Sequence, residues 1–189
     1  MKIGLFFGSF NPMHIGHKII ASYMAEFSDL DKVMFVVSPK NPFKKKDSLL
    51  DEYHRLQIIR REVEDNHKLY VSDIEFKMPQ PSYTIDTLVR LQEKHPNNEY
   101  CLIMGSDNLT NLNKWKNHKQ ILEEYPVFVY PRRGTEVNIN HQNIHIIKNV
   151  PQMDISSSFI RKSIKEGKDV SYLMPEKAWK YTEEMNFYT

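Results

Sequence analysis

The sequence predicts an α/β fold in which a doubly wound parallel β-sheet carries helices on both faces. The main reason is that short apolar runs, typical of buried parallel strands, alternate with longer segments whose apolar residues recur at helical spacing. A second reason is that glycine-containing and polar segments follow several of these runs, and such sheets bind ligands at the carboxyl ends of their strands. Because 189 residues with 40% hydrophobic content suit one core, we expect a single domain over residues 1–189.

The first half of the chain contains three predicted strands separated by helices. Residues 3–7 are apolar up to Gly8 and predict a buried strand, and Ile15–Phe27 has apolar residues at helical spacing. The elements that follow are a strand at 33–37, a lysine-rich loop at 39–48, a helix at 51–64 and a strand at Leu69–Ser72. We expect the helix at 51–64 to bury one apolar face made of Tyr53, Leu56, Ile59 and Val63.

The second half continues this alternation. Ser82 is the expected N-cap of a helix that runs to Glu93, because serine hydroxyls accept hydrogen bonds from the N–H groups of a helix start. A strand, a helix and two further strands are predicted at 100–104, 115–122, Val127–Tyr130 and 144–147. Ser156 or Ser157 is expected to cap a helix that continues through Ile164 and stops at Gly167, and a last short helix follows Pro175.

Composition narrows the functional classes. Lys and Arg total 26 against 24 for Asp and Glu, so the basic excess typical of a nucleic-acid binder is missing. The single cysteine, Cys101, lies in a predicted core strand and excludes an intrachain disulfide, which favours a reducing, cytoplasmic location. The apolar run at 3–7 is too short for a signal peptide or a membrane span, and we expect no membrane partner.

The strongest local motif is GSFNPMHIGH at residues 8–17. Gly8 permits close approach of the backbone to a ligand, and Gly16 leaves room for a base or a phosphate. His14 and His17 are three residues apart at a helix start, so they share one face next to free N–H groups and a partial positive charge. We interpret the motif as a phosphate-binding site; metal ligation by the histidines, or simple solvation, is the alternative.

A second motif, ISSSFIR, occupies residues 155–161 near the other end of the chain. Serine hydroxyls and N–H groups at a helix start can hold phosphate oxygens, and Arg161 can add charge-assisted hydrogen bonds. The alternative is a serine-capped surface helix with a solvated arginine.

Together these motifs resemble a known enzyme family. The first resembles the Gly-x-Phe-x-Pro-x-His-x-Gly-His signature of the HxGH nucleotidyltransferases, and the second is similar to their Ile-Ser-Ser-Thr-x-Ile-Arg segment. Bacterial nicotinate mononucleotide adenylyltransferases have segments similar to PSYTIDTL at 81–88, MGSDNL at 104–109 followed by Trp115, and PRRG at 131–134. The resemblance implies a Rossmann-like fold and transfer of AMP from ATP to nicotinate mononucleotide, with release of nicotinate adenine dinucleotide and pyrophosphate, the deamido step of NAD biosynthesis.

The resemblance also implies three groups of site residues. The catalytic group is His14, His17, Lys44 and Arg161. The ATP-binding group is Gly8, Ser9, Phe10, Gly16, Gly105, Asp107, Ile155, Ser156, Ser157 and Ser158. The mononucleotide-binding group is Tyr83, Thr84, Trp115, Arg132 and Arg133. The pyridine ring would stack on Trp115, with its carboxylate near the N–H groups of Tyr83 and Thr84. By the same resemblance Mg²⁺ bridges the phosphates, held mainly by substrate oxygens and water, and no residue is assigned as a metal ligand.

Four positions depart from the family pattern. Asn11 stands where the family usually has Asp, the family usually has Gly or Thr near Ser9, and Arg133 stands where the Arg-Pro-Gly turn has Pro. Phe43 replaces the loop histidine and cannot form a hydrogen bond, so a role of that histidine is in doubt here. Lys44, Lys45 or Lys46 remains available for phosphate, and the roles of Arg132 and Arg133 stay open.

Three other functions fit the sequence less well. Pantetheine-phosphate adenylyltransferases usually have Thr where His14 stands and lack segments like 82–88 and the Trp115 region. A class I aminoacyl-tRNA synthetase fragment would share the literal HIGH at 14–17, but no Lys-Met-Ser-Lys-Ser stretch follows. A non-catalytic nucleotide-binding sensor is disfavoured by the intact His14, His17 and Arg161. Homo-oligomer formation is compatible with the sequence.

Overall fold

The computed structural model describes residues 1–39, 49–135, 139 and 141–189. Within these residues one six-stranded sheet has the order β3-β2-β1-β4-β5-β6, and every neighbouring pair is parallel. The strands are β1 Lys2–Gly8, β2 Lys32–Val37, β3 Leu69–Ser72, β4 Glu99–Gly105, β5 Val127–Tyr130 and β6 Ile144–Ile146. The predicted strands agree with these bounds to within one residue at each end, and the predicted fold class is confirmed.

Helices cover both faces of the sheet. The α-helices in the described residues are α1 Ile15–Phe27, α2 Glu52–Val63, α3 Thr84–Lys94, α4 Ser106–Leu109, α5 His118–Glu124, α6 Ser157–Lys165 and α7 Glu176–Glu184. One hydrophobic cluster joins the sheet to α1, α2, α6 and α7, and a second joins the opposite face to α3, α4 and α5. Cys101 is buried in the first cluster, as expected. None of the helices described is both long enough and apolar enough to cross a membrane.

The order of the strands places a crevice at the middle of the sheet. From β1 the chain moves outward through β2 to β3, and α3 then returns it to β4 on the other side of β1. The carboxyl ends of β1 and β4, at Gly8 and Gly105, therefore flank the point where the direction of winding reverses. Doubly wound sheets bind ligands at this point, and the motif at 8–17 begins there.

Two predicted helix starts were wrong. Ser82 does not cap α3, whose N-cap is Tyr83, because the Ser82 hydroxyl donates instead to the buried carboxylate of Glu75 at 2.9 Å. The predicted helix at 115–122 begins only at His118: a 3₁₀ helix at Leu112–Lys114 ends at Trp115, and Asn117 has a left-handed backbone with φ of 53°. A left-handed residue cannot continue a right-handed helix, so α5 starts after it.

The buried face of α2 also differs from the prediction. Tyr53 is 57% exposed, whereas Arg55 is fully buried together with Leu56, Ile59 and Val63. Arg55 lies inside because its guanidinium finds backbone carbonyls to satisfy it, and a buried charge needs such partners. Ser156, rather than Ser157, caps α6 by accepting a hydrogen bond from the Phe159 N–H at 3.2 Å.

Candidate active site

The signature loop, residues 9–14, connects β1 to α1. Phe10 has a positive φ of 43° and folds its ring over Gly8, so that a Cβ on Gly8 would lie 2.8 Å from the ring. The space expected for close approach of a ligand at Gly8 is thus filled by Phe10, whose exposed fraction is 2%. A side chain at position 8 would displace this ring and with it the loop.

His14 and His17 lie together at the start of α1. His14 is the N-cap residue, and its ring stacks on that of His17 with 3.7 Å between ring centroids and 25° between ring planes. The backbone N–H of His14 donates to Nδ1 of His17 at 3.2 Å. Since Nδ1 accepts this hydrogen bond, the proton of a neutral His17 ring lies on Nε2. Phe10 supports the other side of His17, edge to face at 5.0 Å between centroids.

His14 is held as a neutral imidazole. Burial, assisted by the positive charge of Arg132, lowers the pKa of His14 from its ordinary 6.5 to about 4. Its Nδ1 is buried and has no hydrogen-bond partner among the described residues. A Cβ on Gly16 would lie 3.1 Å from this nitrogen, so the glycine makes room for the His14 ring.

The second motif docks directly on the signature loop. Arg161 of α6 donates through Nη1 to the carbonyl of Asn11 at 2.7 Å, and Ser157 Oγ donates to the carbonyl of Pro12 at 2.9 Å. Arg161 Nη2 also donates to Ser158 Oγ at 3.4 Å. The beginnings of α1 and α6, each carrying unsatisfied N–H groups and partial positive charge, are therefore brought next to each other.

A cleft of about 420 Å³ opens beside the paired histidines. Its lining includes His14, Gly16, His17, Arg132, Arg133 and Ile155. The two arginines make this cleft suitable for anionic groups, and Asp154 adds a carboxylate to the lining. The volume falls within the usual range for small-molecule sites.

Contacts of Arg132, a residue of the cleft lining, connect the segments that follow β4 and β5. The Arg132 N–H donates to Ser106 Oγ at 2.8 Å, and Arg132 Nε lies 3.5 Å from Oδ1 of Asp107. A Cβ on Gly105 would meet this same oxygen at 2.4 Å, so Gly105 is required for the Asp107–Arg132 contact. Gly105 and Asp107 thus act locally on Arg132, one of the residues in the cleft.

Comparison with known proteins identifies the family. The sequence matches the Cytidylyltransferase-like family model over residues 5–163. A protein of Flavobacterium psychrophilum named "Probable nicotinate-nucleotide adenylyltransferase" is 57% identical over 192 residues, which span 100% of this chain and 99% of that protein. The chain belongs to the nicotinate-nucleotide adenylyltransferase family.

Two further comparisons support the family and the fold, respectively. A protein of the same name from Flavobacterium johnsoniae is 54% identical over 192 residues, which cover 100% of this chain and 99% of that protein. The structure titled "Plasmodium falciparum nicotinic acid mononucleotide adenylyltransferase complexed with NaAD" has a TM-score of 0.82 at 20% identity, over 99% of this chain and 97% of that chain. At this identity the likeness establishes a shared fold.

In this member of the nicotinate-nucleotide adenylyltransferase family, the structure divides the expected mononucleotide residues into two groups, of which Arg132 and Arg133 line the histidine cleft. Tyr83, Thr84 and Trp115 are not part of the cleft lining. Tyr83 caps α3, Trp115 packs partly buried on the second hydrophobic cluster, and the ammonium of Lys116 lies 4.9 Å from the centre of the Tyr83 ring. Lys116 also pairs with Asp86 at 2.9 Å, which makes the α3 start a second polar region.

Some predicted site residues lie outside the described part of the structure, and some charged residues with structural roles were not predicted from the sequence. Lys44, Lys45 and Lys46, with Phe43, lie outside the described residues. Sequence reasoning missed Arg55, Glu75 and Lys116, because charged residues in helices and loops usually face solvent and nothing in their spacing indicates otherwise. Only the surrounding carbonyls and hydroxyls reveal why Arg55 and Glu75 are buried.

Proposed function

We propose that the protein transfers AMP from ATP to nicotinate mononucleotide and releases nicotinate adenine dinucleotide and pyrophosphate. The observation that carries this proposal is the meeting of two distant motifs: Arg161 reaches the carbonyl of Asn11, beside the stacked His14 and His17. The full-length likeness to proteins named nicotinate-nucleotide adenylyltransferase selects the acceptor substrate.

The reaction is a displacement at phosphorus. A phosphate oxygen of the mononucleotide forms a bond to the α-phosphorus of ATP, the bond from that phosphorus to the bridging oxygen of the β-phosphate breaks, and pyrophosphate leaves with the electron pair. The attacking oxygen is already an anion, so no strong general base is required. Catalysis then depends on alignment of the two substrates and on neutralisation of the charge that develops on the phosphates.

The arrangement at the signature loop suits this task. We propose that His17 donates from Nε2 to a phosphate oxygen, while the neutral ring of His14 keeps His17 in place by stacking. Arg161 and the N–H groups at the starts of α1 and α6 add positive potential toward the same oxygens. Lys44, which lies outside the described residues, is proposed to contribute a further charge.

Mg²⁺ is proposed to arrive with ATP. The described residues contain no group of three or more His, Cys, Asp or Glu side chains able to hold a metal ion. Phosphate oxygens and water are the ligands that Mg²⁺ prefers when protein carboxylates are few. The ion would supply charge neutralisation on the phosphates, while the protein's own residues position them.

The nicotinate end is assigned to the start of α3. The N–H groups at Tyr83 and Thr84 and the ammonium of Lys116 present donors and positive charge there, although Asp86 offsets part of that charge. A carboxylate is stabilised by such a helix start, whereas an amide brings an NH₂ group that repels the same donors. The region therefore favours nicotinate over nicotinamide. Because ATP is the co-substrate and Cys101 is a buried thiol, we propose that the protein acts in the cytoplasm.

The proposal is tested by pyrophosphate release from ATP and Mg²⁺ with one acceptor at a time. The acceptors are nicotinate mononucleotide, nicotinamide mononucleotide and phosphopantetheine. We expect release with nicotinate mononucleotide as the best acceptor, and formation of the dinucleotide is checked by mass. Release only with phosphopantetheine would replace the proposed acceptor, and nucleotide binding without release would indicate a sensor.

A further inference from the structure

Two parts of the proposed site lie on different segments of the chain and must be held in a fixed position relative to each other. The first part is the signature loop at 9–14, and the second is the α3 start at 82–84. We propose that Arg55, Ser38 and Glu75 form a buried polar network that positions these two parts relative to each other. This inference rests on the proposed function, because it concerns the alignment of the two substrates of that reaction.

Arg55 is the first member of the network. Its Nε donates to the carbonyl of Leu50 at 2.7 Å, and its Nη1 donates to the carbonyls of Ser9 at 2.6 Å and Ser38 at 2.9 Å. Its Nη2 donates to the carbonyl of Pro39 at 3.0 Å. One rigid guanidinium thus ties the signature loop to both ends of the segment that follows β2.

Glu75 is the opposite end of the network. Its two carboxylate oxygens accept hydrogen bonds from the hydroxyls of Thr87, at 2.8 Å, and Ser82, at 2.9 Å. Burial raises the pKa of the Glu75 carboxyl, against the hydrogen bonds from Thr87, Ser82 and Ser38, which lower it. Glu75 therefore fixes the residues immediately before and within the first turn of α3.

Ser38 joins the two charged residues. Its carbonyl accepts from Arg55, and its side chain hydrogen-bonds with Glu75. The chain of contacts runs from Ser9 through Arg55, Ser38 and Glu75 to Ser82. The hydrogen bonds of Arg55 to Ser9 and Ser38, and of Ser82 to Glu75, are 2.6, 2.9 and 2.9 Å long. The charged members are 0% and 2% exposed, so the links are poorly screened and cannot easily be replaced by water.

The network is better explained by positioning than by stability. Buried charges cost desolvation free energy, and well-packed apolar residues of similar size often stabilise a core equally well. None of the three residues belongs to the lining of the histidine cleft, so they are positioning residues rather than catalytic ones. What the polar network supplies, and an apolar core does not, is a directional link between two loops.

A loss of alignment has a characteristic kinetic signature. If the network is cut, each part of the site still binds its own ligand, but the attacking phosphate and the α-phosphorus meet less often in the right geometry. We therefore expect kcat to fall by about 10-fold to 10²-fold, while the Kd values of ATP analogue and mononucleotide change by less than about threefold. Loss of any one contact of the network should be enough to disturb the alignment, so loss of two contacts together should lower kcat little further.

The experiment compares Arg55→Lys, Ser38→Ala, Glu75→Gln and the double variant Arg55→Lys/Glu75→Gln. Arg60→Lys and Glu93→Gln are the controls, since Arg60 is an exposed residue of α2, the helix of Arg55, and Glu93 is an exposed residue of α3, the helix whose start Glu75 binds. Steady-state kcat is measured well below each unfolding temperature. Calorimetry gives the Kd of a non-hydrolysable ATP analogue and, separately, of nicotinate mononucleotide. Amide hydrogen exchange is followed at 81–88 in Arg55→Lys and at 9–14 in Glu75→Gln.

Three results together would support the inference. The single variants would have a reduced kcat with retained Kd values, and the double variant would have a kcat little below that of either single variant. Amide hydrogen exchange would be at least about threefold faster at the end of the network opposite the substitution. Ser38→Ala matters most here, because it removes only one hydroxyl and keeps the fold. Control-like kcat in all three single variants, or effects that multiply in the double variant, would overturn it. If the wild type transfers no AMP, the proposed function fails, while the exchange measurement still tests whether the two loops are linked.

Discussion

The His14 and His17 rings are stacked 3.7 Å apart, and the backbone N–H of His14 occupies Nδ1 of His17. The surroundings of the pair decide where each ring carries its proton. Burial keeps His14 neutral, and the hydrogen bond places the His17 proton on Nε2. The pair consequently behaves as one unit in which His14 supports the group that we assign to the phosphates.

The first prediction concerns pH. The pKa of His14 is about 4 in the folded protein and about 6.5 when unfolded, so the unfolded chain takes up this proton first as pH falls. The free energy of unfolding should be unaffected by His14 above pH 6.5 and should decrease between 6.5 and 4. Each pKa unit corresponds to about 1.4 kcal/mol, which makes the total loss about 3 kcal/mol. Denaturant titrations of wild type and His14→Gln give the free energy of unfolding of each, and the difference between the two should change with pH. A difference that stays constant between pH 7.5 and 4.5 would contradict the prediction.

The second prediction is that His17→Ala lowers kcat by roughly 10²-fold or more, the usual loss when one donor to transition-state charge is removed. The unfolding temperature should change little, because the ring is only partly buried. The matched control is His67→Ala, which removes an exposed histidine. Kinetics of His17→Ala within threefold of wild type would remove His17 from the mechanism.

The third prediction concerns Arg161→Lys. A lysine keeps the positive charge but has no planar fork, so it cannot hold the Asn11 carbonyl and Ser158 Oγ while also facing a phosphate. We expect kcat/KM for ATP to fall at least about 10-fold, with the Kd of nicotinate mononucleotide little changed. Lys162→Arg, on an exposed position of the same helix, serves as the control. Unaltered ATP kinetics in Arg161→Lys would assign Arg161 a purely structural role.

The fourth prediction uses Gly16. An alanine Cβ there would lie 3.1 Å from Nδ1 of His14, so the ring that stacks on His17 must give way by a few tenths of an ångström. We expect Gly16→Ala to lower kcat by about 10-fold, because small displacements of a positioned group are costly. The same substitution made in a His14→Ala background should have little further effect, since the clashing ring is gone. Equal effects in both backgrounds would show that Gly16 acts on something other than His14.

The fifth prediction concerns the acceptor. Nicotinate mononucleotide should be preferred over nicotinamide mononucleotide by roughly 10²-fold or more in kcat/KM, because the amide leaves donors at the α3 start unpaired. Trp115→Ala should weaken mononucleotide binding by roughly 1–3 kcal/mol, the usual scale of a lost aromatic stack, and should leave ATP binding unchanged. Trp179→Ala, on α7 against the other face of the sheet, is the control. Equal use of the two mononucleotides would refute the preference for the acid and leave adenylyl transfer standing.

Local patterns in the sequence were sufficient for the architecture. Buried parallel strands are continuous apolar runs, so 127–130 and 69–72 were located without error, and Ile15–Phe27 was recognised from its helical spacing. The two motifs at 8–17 and 155–161 also indicated the HxGH nucleotidyltransferases, because their glycines, histidines and serines follow a fixed order. The segments at 81–88, 104–109 and 131–134 then indicated the nicotinate mononucleotide adenylyltransferases among them. The roles of the individual site residues remain predictions.

Tertiary structure alone decided which distant groups meet. No pattern in the sequence indicates that Arg55 would turn inward to four carbonyls, that Ser82 would bond to Glu75 instead of capping α3, or that Asn117 would delay α5. The physical reason is that a helix or strand is specified by neighbours a few residues apart, whereas a buried charge is placed by acceptors supplied by other segments. Ser9 and Leu50 become partners of Arg55 only after the sheet has brought their loops together.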